Sequence, residues 1–484
     1  MNRPTSITRN SAPAYEHAMD HLLEYFSKGG SIRGKRSYYT EHTTEYILNL
    51  FKNAWYTGQK ENCMKLAFWT RDIRGGAGAR QNFRDIIKWL ATEEPDWVIA
   101  NIHLIPEHGR WDDLKTLYGT LCERTTVKYW AEAISCCDAS ISPLAAKWAN
   151  RQDWRLRNYL GLSPKAFRKL VSATSGDIVE KKMCSGKWED IAFDHVPSVA
   201  SARYRNAFKR NAPHYDEWAN KVIKGEAKVN TSAVFPHDII RTILANYNNT
   251  DEQFIELMET TFNSLPNYIG DPNARIMPIC DFSGSMSINV SGSIRAMDVC
   301  LGLGLYCSNA LGKDNPFYRK LIPFSSSAEL KTWSNVVDAV KTIPDGYVGS
   351  TNVKSALDVL LASAQFWNVP KEKMVNTLLI MSDMQFDPDE CGIWGNAYGP
   401  LDKTDNTVIE ECMKEWEDAG YDRPKIVYWN LHAYDNQPAT GKHDHIAMIS
   451  GFSPSILSHV LTNFQLNPID VMLKAIDKYK ISIP

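Results

Sequence analysis

Apolar and polar positions follow two different patterns along this 484-residue chain. From about residue 14 to residue 250, apolar residues recur at helical spacing and strand signals are few. The segments "YTEHTTEYILNLFKNAWYTGQ" and "QNFRDIIKWLATEEPDW" show the stripe most clearly, through Tyr46, Leu48, Leu50, Phe51, Trp55, Phe83, Ile86, Ile87 and Leu90. Turns rich in Gly, Pro and Asp separate such segments. This half is therefore predicted to be an all-α array, although we find no fixed repeat length.

From about residue 270, apolar strands alternate with amphipathic helices. The pattern predicts strands at 275–281, 318–325, 375–383, 425–432 and 446–453, and helices at 293–311, 332–342, 352–366 and 406–419, with two helical stretches after them. Such alternation is typical of a doubly wound α/β domain with a mainly parallel sheet. We therefore predict an α + α/β protein of two domains, a helical one over 1–270 and an α/β one over 271–484.

Composition narrows the class of protein. Apolar residues make up 44% and charged residues 23%, as in folded soluble proteins. The longest apolar stretch starts at Ala296, contains Asp298 and is shorter than the ~20 residues of a membrane span, so it is predicted to be a buried helix. The first residues are polar and lack the apolar core of a secretory signal. Ten scattered cysteines without a Cys-x-x-Cys pair fit a reducing compartment. We expect a cytoplasmic protein with no membrane partner.

Charge divides the chain in the same way as the hydrophobic pattern. Residues 1–250 contain 36 basic and 27 acidic side chains, and the remainder contains 18 and 29, so the two parts carry net charges of +9 and −11. The basic excess is densest over 151–210, with 13 basic and 6 acidic side chains. A basic half beside an acidic half suggests different binding partners for the two.

Oxygen-bearing side chains follow three predicted elements of the α/β half. Asp281, Ser283 and Ser285 come after the strand 275–281, Thr351 precedes the helix 352–366, and Asp383 ends the strand 375–383. Ligands of parallel sheets bind at the carboxyl ends of the strands. Two carboxylates and three hydroxyls suit Mg²⁺ or Mn²⁺ and not zinc. The alternative is that "DFSGSMS" is only a turn with Asx and Ser caps.

These serines do not match a nucleophile motif. A nucleophile elbow needs Gly-x-Ser-x-Gly, whereas Ser283 and Ser285 stand in the order Ser-Gly-Ser and no His is placed as their base. We therefore expect no enzymatic activity, and a hydrolase remains the weakest alternative.

The Asp-x-Ser-x-Ser of 281–285, the loop Thr351 and the later Asp383 together resemble the metal-ion-dependent adhesion site (MIDAS) of von Willebrand factor A domains. The resemblance implies that Ser283, Ser285 and Thr351 contact Mg²⁺ directly, and that Asp281 and Asp383 act through waters. It also implies one open coordination position, which a carboxylate of a partner protein would fill.

A second resemblance covers most of the chain. "FWTRDIRGGAGARQNFR" and "HGRWDDL", followed by "CDFSGSMS", "SDMQFD", "GYDRPKIVYWNLH" and "SGFSPSIL", are similar to an uncharacterised family. That family joins a region like the TROVE module of the Ro autoantigen to a C-terminal von Willebrand A domain. The implied architecture is a ring of HEAT-like helical repeats. The implied function is a ribonucleoprotein that binds single-stranded RNA ends in the hole and small structured RNA on the basic outer face.

Composition supplies RNA-binding candidates independently of the resemblance. Basic residues track phosphates and aromatic rings stack on bases. Aromatic residues Trp148, Trp154, Tyr159 and Phe167 are interspersed among the basic candidates, which are Lys147, Arg151, Arg155, Arg157, Lys165, Arg168, Lys169, Arg203 and Arg205. The alternative is a solvated helix face whose aromatic residues belong to the core.

The glycine-rich segment "RDIRGGAGARQNFR" adds a further candidate. Its backbone N–H groups ahead of a helix could meet a phosphate that Arg71, Arg74, Arg80 and Arg84 neutralise. No Gly-Lys-Ser/Thr follows, so it is not a P-loop. The alternative is a tight interhelical turn in which Arg71 or Arg74 pairs with Asp72 or Asp85.

Two further features complete the expectation. His443 and His445 are interpreted as part of an ordinary loop, because no third metal ligand is nearby. The long insertion after Asp383 is predicted to border the metal site. The leading hypothesis is a non-enzymatic, RNA-binding protein of the Ro type with a Mg²⁺-dependent ligand site. The alternative is an assembly scaffold that uses the metal to bind an acidic residue of a partner, without RNA.

Overall fold

The helical half folds as the apolar stripes predict. The computed structural model describes residues 4–31, 44–176, 178–231, 233–249, 251–344, 347, 349–387, 407–432, 434, 436–461 and 467–484. The helices described up to residue 263 are α1 (His21–Gly29), α2 (Thr44–Tyr56), α3 (Lys60–Arg71), α4 (Arg80–Glu93), α5 (Pro95–Ala100), α6 (Leu104–His108), α7 (Glu123–Ser135), α8 (Ser142–Trp148), α9 (Trp154–Tyr159), α10 (Pro164–Thr174), α11 (Val179–Cys184), α12 (Ser198–Asn211), α13 (Tyr215–Ile223), α14 (Pro236–Leu244) and α15 (Glu252–Asn263). Short 3₁₀ helices lie at Trp111–Leu117 and Phe193–His195. Their apolar stripes meet in one continuous core.

A short hairpin precedes these helices. Its strands β1 (Ser6–Ile7) and β2 (Pro13–Ala14) are antiparallel, and Tyr15 pairs with Gln437 of the C-terminal half. Sequence patterning did not predict this hairpin, because two-residue strands carry no period.

The C-terminal half contains a six-stranded mixed sheet. Its strands and the small hairpin β4–β5 are β3 (Ile276–Asp281), β4 (Asn289–Ser291), β5 (Ile294–Arg295), β6 (Lys320–Phe324), β7 (Lys331–Thr332), β8 (Thr377–Ser382), β9 (Lys425–Asn430) and β10 (Ile446–Ser450). The order in the large sheet is β10-β9-β8-β3-β6-β7, and only the pairing of β6 with β7 is antiparallel. All residues of β3 and β8 are buried, as the continuous apolar runs require of central strands.

The helices of this half occur near their predicted positions. They are α16 (Ala296–Asn309), α17 (Val336–Thr342), α18 (Val353–Phe366), α19 (Val408–Asp418), α20 (Leu457–Val460) and α21 (Pro468–Ile476). Two predicted starts were too early. Residues 289–295 form the β4–β5 hairpin around Gly292, whose φ is 58°, and Lys331–Thr332 pairs with β6. In both places local pairing takes precedence over the helical pattern.

The two halves pack on each other. Helix α16 lies on β3, α14 covers α16, and α1 packs on β9 and β10. Helix α16 is buried along nearly its whole length, as its apolar run predicts. At Gly302 a Cβ would lie 2.7 Å from the backbone nitrogen of His237 in α14, so only glycine allows this approach. In the described part of the chain, no helix is long and apolar enough to cross a membrane.

Candidate functional site

Parallel pairing places the oxygen-bearing ends of two strands side by side. Strand β3 pairs with β8 so that Cys280 lies opposite Met381, which brings Asp281 and Asp383 to the same edge of the sheet. Beyond β3 the chain turns through a short 3₁₀ helix, Gly284–Ser287. The backbone N–H of Gly284 donates to the carbonyl of Gly349 at 3.2 Å, which attaches this turn to the loop that carries Thr351.

Short hydrogen bonds hold the Asp-x-Ser-x-Ser segment in place. One carboxylate oxygen of Asp281 accepts from the backbone N–H of Ser283 at 2.8 Å, and the other accepts from the Ser382 hydroxyl at 2.6 Å. The hydroxyl oxygens of Ser283 and Ser285 are 3.1 Å apart. Asp281 is thus anchored behind the serines, and the two hydroxyls face the same space.

Both carboxylates are buried, and no Lys, Arg or His side chain among the described residues forms an ion pair with either of them. The pKa of Asp281 is raised to about 7, mainly because the carboxyl is buried and to a smaller extent because of the negative charge of Asp383. Burial also raises the pKa of Asp383, while the Ser285 hydroxyl, the Gln385 backbone N–H and the charge of Arg9 act in the opposite direction. Two buried carboxyls with raised pKa values form a site in which the hydrogen bonds and the charge of Arg9 compensate the ionised pair only in part.

A hard cation fits this donor set. Asp383 and Asp387 each have one buried carboxylate oxygen that lacks a hydrogen-bond partner. The backbone N–H of Asp387 donates to the carbonyl of Thr351 at 3.0 Å, which places Asp387 next to the loop of Thr351. Orphaned buried carboxylate oxygens are rare unless an ion or water satisfies them. In the described segments, no three His, Cys, Asp or Glu side chains form a metal-binding group, so the fit depends on the hydroxyls of Ser283, Ser285 and Thr351.

The structure adds residues that sequence reasoning missed. The β1–β2 hairpin reaches the site: the Asn10 amide donates to the Gln385 carbonyl at 2.6 Å and to the Thr351 hydroxyl at 3.4 Å. The Gln385 side chain accepts from the backbone N–H of Arg9 at 2.8 Å. No signal in "TRNS" could have placed Asn10 here, because its contacts are more than 340 residues away in sequence. Ser382 was detectable as the hydroxyl that precedes Asp383.

The insertion predicted to border the site lies mostly outside the described residues, at 388–406. The His443 ring contacts Thr440 at 3.0 Å, Glu410 at 3.3 Å and the Tyr15 hydroxyl at 3.1 Å. These are the contacts of a structural loop histidine.

The glycine-rich segment after α3 forms a tight interhelical turn. Its backbone N–H groups already donate within the turn, from Gly76 to Asp72, from Ala77 to Trp69 and from Ala79 to Thr70. They are therefore not free to hold a phosphate. Arg74 and Arg80 are exposed.

Arg71 and Arg84 both pair with Asp113, at 2.7 Å, and Arg84 also pairs with Asp112 at 3.0 Å. The expected partners Asp72 and Asp85 were incorrect, because the 3₁₀ helix Trp111–Leu117 packs against α4 and presents Asp113 to both arginines. Arg71 and Asp113 are buried, so this cluster belongs to the core of the helical half.

The basic residues after α8 form a surface of mixed exposure. Arg151, Lys165, Arg168, Lys169 and Arg203 are exposed, whereas Lys147, Arg155 and Arg157 are half-buried. Trp154 and Tyr159 expose 52% and 47% of their surface, while Phe167 is buried. We call Arg151, Trp154, Tyr159, Arg168 and Lys169 the α9–α10 surface.

Two of the half-buried candidates are engaged in ion pairs. Arg155 pairs with Glu123 at 3.0 Å and stacks on Trp154 and Tyr118, with its guanidinium carbon 4.7 Å from each ring centre. Lys147 lies 3.7 Å from Glu180. Arg205 is buried inside the helical half and is separate from the α9–α10 surface.

Comparison with known proteins gives the following matches. A family model described as a domain of unknown function, DUF7788, matches residues 275–478, and another, DUF2828, matches residues 8–137 and 163–265. The chain is 24% identical over 542 residues to the uncharacterized protein L728 of Acanthamoeba polyphaga mimivirus, a match that covers 99% of this chain and 88% of that protein. The crystal structure of the Deinococcus radiodurans RO (RSR) protein is similar at 13% identity and a TM-score of 0.36, and the match covers 96% of this chain and 100% of that chain. The DUF7788 match includes all five predicted metal-site residues.

Proposed function

We propose that this protein binds RNA without catalysing a reaction, through the α9–α10 surface, and that its C-terminal half holds a Mg²⁺ ion that binds a carboxylate of a partner. The observation that carries the RNA proposal is the exposure of Trp154 and Tyr159 in the same stretch of the chain, 151–169, as the exposed Arg151, Arg168 and Lys169. Exposed aromatic rings can stack on bases, and neighbouring cations can contact phosphates.

The resemblance to TROVE and von Willebrand A proteins supports the same proposal. It further supports HEAT-like repeats for the helices, a MIDAS at the sheet edge, and a cytoplasmic ribonucleoprotein. The ligand is expected to be single-stranded RNA ends or small structured RNA.

The RNA half is tested by binding of single-stranded and structured RNA to protein cleared of nucleic acid. We expect binding that weakens with salt, since each phosphate contact adds about −0.7 to the slope of log K against log salt for single strands. The variant Arg151→Glu/Arg168→Glu/Lys169→Glu should bind at least tenfold more weakly. A matched control reverses three exposed lysines elsewhere, Lys224, Lys313 and Lys373.

Loss of affinity in the α9–α10 variant alone supports the proposal. Absence of binding by the wild-type protein at low salt, or equal losses in both variants, overturns it. Trp154→Ala should reduce affinity with little change in salt slope, because stacking does not release counterions.

In the metal half, Ser283, Ser285 and Thr351 would hold Mg²⁺ directly and Asp281 and Asp383 would neutralise it through waters. The bound cation would supply an open position for a carboxylate. The orphaned oxygens of Asp383 and Asp387 support this arrangement. Mn²⁺ would serve equally, because both ions prefer hard oxygen ligands.

The same two oxygens favour a second function, an assembly scaffold that uses the metal without RNA. Purification from cells separates the two. A Mg²⁺-dependent protein complex that is free of nucleic acid and lost in Asp281→Ala supports the scaffold. Copurified RNA that is lost in the α9–α10 variant supports RNA binding. A hydrolytic activity abolished by Ser283→Ala would contradict both non-enzymatic proposals.

A further inference from the structure

A small cavity lies among helices α12, α13, α14 and α15 of the helical half. Its volume is about 50 Å³, and its lining includes Arg205, Tyr215, Trp218, Leu257 and Met258. Polar side chains also contribute to the wall, and among them are the cationic side chain of Arg205 and the carboxylate of Asp238. The cavity is separate from both the α9–α10 surface and the metal site.

Arg205 lies in this cavity without a counter-ion. The side chain is more than nine-tenths buried, and its Nε–H has no acceptor. Within the described residues, no carboxylate forms an ion pair with it. The neighbouring carboxylates have other partners: Asp251 pairs with Lys209 at 2.9 Å, and Asp238 accepts from the backbone N–H of Phe235 at 3.0 Å. The charge of Arg205 nevertheless contributes to lowering the pKa of Asp251, so the two groups interact at longer range.

The contacts that Arg205 makes include no ion pair among the described residues, so its charge is compensated only in part, by the more distant Asp251. Its guanidinium carbon is 4.4 Å from the centre of the Phe254 ring, which is a cation–π contact. The other contact is with Tyr215. Burial raises the pKa of the Tyr215 hydroxyl, although the neighbouring guanidinium opposes that rise. Tyr215 therefore stays a neutral hydrogen-bond donor beside Arg205.

An unpaired buried cation is unfavourable, because it has lost its hydration and gained no opposite charge. The cavity beside Arg205 has room for a small anion. A volume of about 50 Å³ exceeds the 10–15 Å³ that one water requires, yet it is well below the ~150 Å³ of a cavity that admits benzene. A group with few heavy atoms fits, and a nucleobase does not.

We propose that this cavity binds a tetrahedral oxyanion of the size of phosphate, with Arg205 as its counter-ion and Tyr215 as a second donor. The guanidinium fork of arginine matches phosphate geometry, and the buried Nε–H of Arg205 lacks an acceptor. This site is independent of the proposed RNA and metal functions. Either could fail without affecting it.

The test uses the full chain in EDTA with inorganic phosphate as the probe, at ionic strength held constant with chloride. We expect the wild-type Tm to rise progressively with phosphate, because a ligand of the folded state alone stabilises it. Calorimetric titration should show saturable binding of one phosphate per chain. Arg203→Met should respond like the wild type, because Arg203 lies exposed on the same helix two residues away.

Two variants of Arg205 complete the design. Arg205→Met should lose the phosphate response and unfold in chloride at or above the wild-type Tm, since it removes a buried charge that is compensated only in part. Arg205→Lys keeps the charge but loses the planar fork, and should bind phosphate at least tenfold more weakly.

Three outcomes overturn the proposal. The first is a wild-type protein that shows no saturable phosphate binding, and the second is a phosphate response retained by Arg205→Met. The third is an Arg205→Met protein that is strongly destabilised in chloride, because Arg205 would then be satisfied within the fold. A response to acetate without one to phosphate also contradicts the tetrahedral assignment.

Discussion

At the scale of single residues, the buried carboxylates of Asp281 and Asp383 determine how the candidate metal centre depends on pH. Each lies at the end of a central strand and is fully enclosed. In the absence of a cation, enclosure favours their protonated forms. A divalent ion and protons therefore compete for the same oxygens.

The first prediction concerns stability in EDTA and in Mg²⁺. Because the pKa of Asp281 is raised to about 7 in the folded protein, from 3.8, the folded state keeps a proton that the unfolded chain releases between these values. The free energy of unfolding in EDTA should therefore fall by a few kcal/mol as the pH rises through this window. Mg²⁺ should raise Tm more at about pH 8 than at about pH 5, because binding requires the ionised carboxyls. Thermal unfolding across pH measures both effects.

The control is Asp281→Asn, which should flatten the pH dependence in EDTA and remove the response to Mg²⁺. An equal rise in Tm with Mg²⁺ in Asp281→Asn would show that the ion binds elsewhere.

The second prediction concerns the buried cluster of the helical half. The side chains of Arg71 and Asp113 expose 5% and 0% of their surface, and Arg84 pairs with the same carboxylate. Asp113→Ala leaves Arg71 as a buried, unpaired cation and should lower the free energy of unfolding by about 3–5 kcal/mol. Urea denaturation measures the loss. Asp112→Ala is the matched control, with an expected loss of about 1 kcal/mol, because the Asp112 side chain is 18% exposed.

At the scale of elements, the β1–β2 hairpin links the beginning of the described chain to the candidate metal site. The Thr8 hydroxyl donates to the Phe386 carbonyl at 2.7 Å, and Asn10 holds the Gln385 carbonyl next to it. Together they fix the backbone that follows Asp383. The hairpin therefore positions the loop that carries one of the two carboxylates.

The third prediction follows from this role of the hairpin. Asn10→Ala removes a hydrogen bond to the Thr351 hydroxyl and one to the Gln385 backbone, so the affinity for Mg²⁺ should fall roughly tenfold, as for other changes beside metal ligands. The midpoint of the Mg²⁺-dependent rise in Tm reports it. Asn289→Ala, at an exposed position in the β4–β5 hairpin, should leave that midpoint unchanged. An unchanged midpoint in both variants would show that the hairpin does not position the site.

At the scale of the whole molecule, helices of the helical half cover apolar surfaces of the C-terminal half. Helix α1 packs on β9 and β10, and the C-terminal helix α21 packs on α3. Beyond α21, the Lys478 amine lies 3.1 Å from Asp72, and the Tyr479 hydroxyl donates to the same carboxylate at 3.0 Å. The two halves therefore share one core.

The fourth prediction tests this interdependence. A chain limited to residues 271–484 exposes the apolar surface of β9 and β10 that α1 buries, and of α16 that α14 buries. It should lack cooperative thermal unfolding and bind a hydrophobic dye, whereas the full chain should unfold cooperatively. Circular dichroism and dye fluorescence measure the two properties. Cooperative unfolding of the shorter chain with a full Tm would contradict the shared core.

Local periodicity in the sequence predicts the secondary-structure elements, whereas long-range packing decides which side chains meet. The helices α2 and α4 and the strands β3, β6, β8, β9 and β10 follow from periodicity, because burying one face or a whole strand is a local requirement on the residues. Asp281, Ser283, Ser285 and Asp383 could be proposed as one group because parallel strands bring their carboxyl ends together. The sequence by itself determined these elements and the charge division, and it was sufficient to propose the oxygen-donor set.

The tertiary structure alone decided which side chains meet across long separations. It paired Arg71 with Asp113, placed Asn10 beside Thr351 and left Trp154 and Tyr159 in solvent. It also enclosed Arg205 where no carboxylate of the described residues forms an ion pair with it. Periodicity assigns a residue to a face, but the partner on the opposite side of that face depends on how elements far apart in sequence pack. That packing results from the sum of many weak contacts, which no short segment of the chain encodes.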